Sequence, residues 1–105
     1  MAASYTMAIE VALPPQQAEA AVCQAFLAAG LLDVAGRGGA MYGRFGAGMW
    51  TWGENVQATI GYGPRGAVVH LRSESVLPTT LVDFGRNRKN LERIVEVLRQ
   101  LAPLV

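Results

Sequence analysis

The side chains with the most chemical potential fall in two strings. Ser73 and Ser75 close an alternating run, Val69 to Ser75, that also holds His70 and Arg72. Downstream, Asp83-Phe84-Gly85-Arg86-Asn87-Arg88-Lys89-Asn90 stands where a helix begins. A helix N-terminus carries partial positive charge, so cations there do not serve helix stability. Free amides together with Arg86, Arg88 and Lys89 could hold a phosphate or carboxylate. The plainer reading makes Asp83 and Asn87 caps for the helix amides and leaves the cations in water. Glu92 and Glu96 then pair with Arg88 or Arg99 along the helix. A third group, Tyr42, Phe45, Trp50 and Trp52, crowds a glycine-rich stretch. It suits a lip for an apolar ligand, a partner surface, or an aromatic cluster under a loop. Base stacking is the weakest of its readings.

Other matches fail on physical grounds. Gly61-Tyr62-Gly63-Pro64-Arg65-Gly66 has the spacing of a dinucleotide fingerprint. That fingerprint must open a helix, whereas here a strand follows and Pro64 removes an amide donor, so a β-turn is expected. Asp83-Phe84-Gly85 spells a kinase motif in a chain far too short for a kinase. His70 and Ser73 lie on opposite faces of one strand, which parts the only Ser-His pair. Cys23 and His70 are each the sole residue of their type. No disulfide can form within the chain, and a metal site is not expected. Cys23, in an alanine-rich helical run, reads as a packing residue. A hydrolase built on Asp83, Ser73 and His70 therefore ranks last, with no catalytic residue and no cofactor assigned.

The elements that must position these groups follow from periodicity. Residues 4–12 alternate, with Tyr5, Met7, Ile9 and Val11 on one side and Thr6, Ala8 and Glu10 on the other. Pro14-Pro15 opens a helix over about 15–29, carried by Ala18, Val22, Ala25, Phe26 and Ala29 and stopped by Gly30. Strands follow over Ala40–Phe45, Val56–Tyr62 and Ala67–Ser75. Leu91, Ile94, Val95, Leu98 and Ala102 give the last helix the best apolar stripe in the chain. The expected fold is α+β, in the order β-α-β-β-β-α. It is a two-layer sandwich with both helices on one face of an antiparallel sheet. The other face would carry Glu10, Tyr42, Arg44, Gln57, Thr59, His70 and Arg72, open to solvent, a ligand or a second copy. A long last helix over a curved sheet is similar to the helix-grip ligand carriers, a likeness of fold only.

The totals agree. The chain has 105 residues, 51% of them hydrophobic and 16% charged, with net charge +1. That is enough for one domain, residues 1–105, with its own core. The balanced charge argues against nucleic acid as a partner. No apolar run is long enough to span a bilayer, and the N-terminus lacks a signal-peptide pattern. A cytoplasmic location is therefore expected.

Two of these strings together resemble a known family. Val69-His70-Leu71-Arg72-Ser73-Glu74-Ser75, followed by Asp83-Phe84-Gly85-Arg86-Asn87-Arg88-Lys89, is similar to a widespread uncharacterised family of bacteria and plastids, domain of unknown function fourteen ninety-nine. Its members end a strand in a basic-Ser-x-Ser motif and start the last helix with Asp-x-Gly-x-Asn-Arg. The resemblance covers about a third of the chain. It implies the element order and a pairing of Ser73 and Ser75 with Asp83 and Asn87, and it brings no activity. The spacer Val76 to Val82 is longer than the family's. Asn90 replaces a basic residue, and Trp52-Gly53-Glu54 stands where an acidic pair is common, as in a sister family.

The function expected is a non-catalytic domain that binds a small apolar or anionic molecule. Its site would lie between helix and sheet or near Arg86, Asn87, Arg88, Lys89, Ser73, Ser75, Asp83, Trp50 and Trp52. The alternative is a homodimeric interaction module.

Overall fold

The structure, a computed structural model, describes residues 2–48, 52–77 and 85–102. Its elements are β1 (Ser4–Val11), α1 (Pro15–Ala28), β2 (Leu32–Arg37), β3 (Ala40–Phe45), β4 (Glu54–Gly63), β5 (Gly66–Ser75) and α2 (Arg86–Leu101). The strands form one antiparallel sheet in the order β1-β5-β4-β3-β2. Both helices pack on the same face, so the expected α+β two-layer arrangement holds.

The sheet gains a fifth strand, β2, beyond the four expected from alternation. β2 is an edge strand with five of its six residues exposed. With so little to bury, it carries no period-two pattern to read. A register shift between Leu32 and Ala35, and the positive φ of Asp33 (53°), bend it further from a regular strand.

Helix α1 starts where proline allows it, with Pro14 as N-cap and Pro15 in the first turn. It ends in a Schellman motif. Gly30 takes φ 92°, its N–H donates to Leu27 O at 3.1 Å, and the Leu31 N–H donates to Phe26 O at 3.0 Å. This stop drops Leu31 and Phe26 onto β3. A Cβ at Gly43 would lie 2.8 Å from Leu31 Cδ2 and 3.2 Å from a Phe26 ring carbon, so the missing side chain sets how closely α1 approaches the sheet.

The core lies between the layers. Phe26, Leu71, Leu91, Ile94 and Leu98 are its largest fully buried apolar side chains, and every residue of the predicted α2 stripe is buried. Tyr5, Met7, Ile9 and Cys23 pack against its margin. These side chains occupy the layer in which a helix-grip carrier would hold its ligand.

The hairpin β4–β5 closes over Pro64 and Arg65, with Gly63 opposite Gly66. The glycine-rich string is thus a turn between strands, as its chemistry predicts.

Candidate functional site

Two polar regions stand on opposite faces of the sheet. One is closed and lies under α2. The other is open.

The closed region begins with α2, whose N-cap is Gly85 in the left-handed conformation (φ 78°), with no side-chain cap hydrogen bond. Asn87 therefore does not cap the helix. Its side chain is buried against the end of the sheet, where Ser73 Oγ donates to Asn87 Oδ1 at 2.7 Å. Asn87 Nδ2 in turn donates to Ala3 O at 3.1 Å and to Ser75 Oγ at 3.2 Å. One amide thus ties α2 to β5 and to the residue just before β1. Three residues further along the helix, Asn90 Nδ2 donates to Glu54 Oε1 at 2.8 Å and to Ser73 Oγ at 3.3 Å.

Glu54 is 1% exposed and Asn90 8%, while Ser73 and Asn87 are fully buried. Among the described residues, no buried side-chain nitrogen or oxygen lacks a partner. A fully satisfied buried network specifies one packing of helix on sheet. It offers a solute no access, so the geometry makes it a clasp.

Ser73, Ser75 and Asn87 come together as the pairing of the two strings implies. Asp83 and Trp50 lie outside the described residues. Glu54 and Asn90 were not among the candidates, although both carried a signal. Glu54 extends the inward set Val56, Ala58 and Ile60 by one alternation, and Asn90 is one helical turn from Asn87.

The helix-start cations do not converge on the clasp. The Arg88 guanidinium sits over the Tyr5 ring, 5.9 Å from its centroid, and Arg88 Nε lies 3.7 Å from Glu92. Lys89 is exposed and Arg86 half-buried. The aromatic group also separates. Tyr42 and Phe45 fall on opposite faces of β3, and Phe45 packs at the core margin beneath Arg93. Trp52 is 72% exposed. The expected core cluster of aromatics is not formed by the described members, because β3 alternation parts the first two and Trp52 turns to solvent.

The open region is the other face of the sheet. Thr6, Tyr42, Arg44, Asn55, Gln57, Thr59, His70 and Arg72 are exposed there, and Glu10 and Glu74 are half-buried. Two shallow depressions mark it. One, of about 290 Å³, is lined by Tyr42, Asn55, Gln57, Arg72 and Glu74, with the backbone of Gly43 and Val56 as floor. The other, of about 360 Å³, is lined by Thr6, Ala8, Gln57, Thr59, His70 and Arg72. Gln57 and Arg72 stand opposite each other on β4 and β5 and belong to both. Arg72 Nη2 is held by Glu74 Oε2 at 2.9 Å. Nearby, Arg44 Nε is paired with Asp33 at 2.6 Å.

Among the described residues, no three His, Cys, Asp or Glu side chains group as a metal site. No helix there is long and apolar enough to cross a membrane. Comparison with profiles of protein families and with curated proteins found no match to this chain. What the fold and its two polar regions define is a class of architecture: a two-layer α+β domain with a clasped helix and an open polar sheet face.

Proposed function

We propose that this chain is a non-catalytic binding domain that takes a small anionic molecule on the open face of its sheet. The observation that carries the reading is the Gln57–Arg72 pair shared by two adjoining depressions. Arg72 offers a planar fork suited to carboxylate or phosphate, and Gln57, Asn55 and Tyr42 add neutral donors beside it. An incoming anion would replace Glu74 as the partner of Arg72. Exposed and exchangeable, the Arg72–Glu74 pair contributes little to folding, so its loss on binding costs little. In this reading the anion is taken at Arg72 rather than at Arg86, Arg88 and Lys89.

Kinship with the uncharacterised family, or with a sister of it, is part of the same proposal. Supporting it, Ser73 and Ser75 bond Asn87 as the resemblance implies. Furthermore, Asn90, which stands where the family has a basic residue, bonds Glu54, the acid of the string that stands where an acidic pair is common, at 2.8 Å. An acid and a base in those places would form an ion pair across the same gap. Here a neutral amide replaces the base.

A thermal-shift panel of carboxylates and phosphates tests the reading, since a ligand of the native state raises Tm by mass action. At a concentration about a hundred times its Kd, a binder adds about 2.7 kcal/mol of stability, roughly 10–20 °C for a domain of this size. Arg72→Ala is expected to abolish the shift while leaving the unliganded Tm within about 3 °C, because the side chain is exposed. A panel that leaves Tm unchanged, or a shift that survives Arg72→Ala, refutes this site. The alternative reading, a homodimeric module, is favoured by a different observation, the bare edge of β1.

A further inference from the structure

The sheet ends at β1 and β2, and only β2 is blunted. Its bulge and the positive φ of Asp33 are devices that keep an edge from pairing. β1 has none. It pairs with β5 without a break from Ser4–Glu74 to Val11–Ala67, and it contains no proline, glycine or lysine. Its one charged side chain, Glu10, is turned to the β4–β5 hairpin, where it accepts the Arg65 N–H at 2.9 Å.

The ladder phase shows which backbone groups are unused. The Ser75 N–H donates to Ala3 O at 2.9 Å, so the odd-numbered residues of β1 direct their polar groups at β5. The same phase runs on through the sheet, where the Val76 N–H reaches Gly53 O and the Ile60 N–H reaches Gly39 O. Ser4, Thr6, Ala8 and Glu10 therefore point their N–H and C=O groups outward. Among the described residues nothing pairs with them.

We propose that this edge is occupied by a second copy of the chain, β1 pairing antiparallel with β1 about a two-fold axis beside Met7. The strand is self-complementary in that register. Thr6 faces Ala8 of the second copy and Ser4 faces Glu10. All four outward residues are then used, and the pairs exchange eight N–H···O bonds. On the helix side, Met7 meets Met7, and Tyr5 meets Ile9. These are half-buried apolar residues, and their burial is completed by the pairing. On the open side, Thr6 and Ala8 are small enough for the sheets to continue without collision. A slip of one residue would set Tyr5 opposite Glu10 and Ile9 opposite Thr6, which disfavours that register. The depression lined by Thr6, Ala8, His70 and Arg72 runs to this edge and would continue across the axis into its mate. The pairing needs no ligand and stands apart from the binding proposal.

Sedimentation velocity of the full chain, from about 1 µM to about 1 mM, is expected to show a reversible monomer–dimer equilibrium, as suits a small interface. Thr6→Pro removes an outward N–H and leaves the β5 ladder whole. It should raise the dimer Kd about a hundredfold or more, since two interchain bonds are lost per dimer with their acceptors stranded. Ala8→Lys, which places a charge on the edge without touching the backbone, should also dissociate the dimer. Ala35→Lys on β2 should leave Kd unchanged. In a Cys23→Ala background, Met7→Cys should oxidise to a covalent dimer, because facing non-bonded pairs have Cα atoms about 4.5 Å apart. Ser4→Cys should not. A chain monomeric at every concentration overturns the proposal. So does a dimer indifferent to both Thr6→Pro and Ala8→Lys, or one that cross-links through Ser4→Cys as readily as through Met7→Cys.

Discussion

Asn87→Ala is expected to destabilise the domain by about 3 kcal/mol, the largest effect expected of any polar substitution among the described residues. Its partners include the buried Ser73 and the half-buried Ser75 and Ala3, so the Ser73 hydroxyl above all is left stranded away from water once the amide is gone. Each stranded polar group costs about 1–3 kcal/mol, partly relieved by hydroxyl rotation, and the truncated side chain leaves a small void. For a domain of about 100 residues this lowers Tm by roughly 10–20 °C, measured by circular dichroism. Ser73→Ala is expected to cost less, because Asn87 keeps its bonds to Ala3 and Ser75. The double variant should fall short of the sum by about 1 kcal/mol, the signature of a shared network. If Asn87→Ala melts within about 2 °C of the parent, the clasp does not hold α2 to the sheet.

Gly66→Ala is expected to cost about 3 kcal/mol or more in urea unfolding. Gly66 has φ 153°, a conformation that L side chains rarely adopt. A Cβ there would collide with the carbonyl oxygen of Val11 and stand 2.8 Å from the Leu13 backbone N and O. All three obstacles are main-chain atoms, at the end of β1 and in the connection to α1, so relief requires moving that backbone. Gly61 provides the contrast. A Cβ at that position meets nothing within 4 Å, and its φ is not positive. Gly61→Ala should therefore be neutral or stabilising by up to about 0.5 kcal/mol, by restricting the unfolded chain. Equal effects at the two sites would refute the reading of Gly66 as a close-approach residue. The pair also separates two meanings of one glycine-rich string. Its spacing looks like a nucleotide fingerprint, while its last glycine is there because another backbone crosses it.

The elements were legible where burial is one-sided. Tyr5, Met7, Ile9 and Val11 alternate because β1 has the core on one face and solvent on the other. Leu91, Ile94, Val95 and Leu98 repeat helically for the same reason. Together with the proline and glycine that bound α1, these patterns fix the order of elements and the two-layer class. β2 escaped because an exposed edge strand has no face to mark. Its existence is decided by hydrogen bonds to β3 that any sequence can make.

The site divides in the same way. Strand parity placed Gln57, Thr59, His70 and Arg72 together on the open face and sent Ser73 to the other. What parity along one strand does not contain is the register between strands. That register sets Gln57 beside Arg72, and it brings Glu54, 36 residues away in the chain, to Asn90. Nor could the helix start be resolved locally. Asn87 is a good capping residue by type, and only the approach of α2 to the end of the sheet turns it inward to the serines. The sequence by itself determined which faces are apolar and where turns must fall, because these depend on side-chain chemistry and local backbone preference. The tertiary structure alone decided which polar groups meet, because hydrogen bonds between distant segments depend on strand register and helix placement, which the whole core sets together.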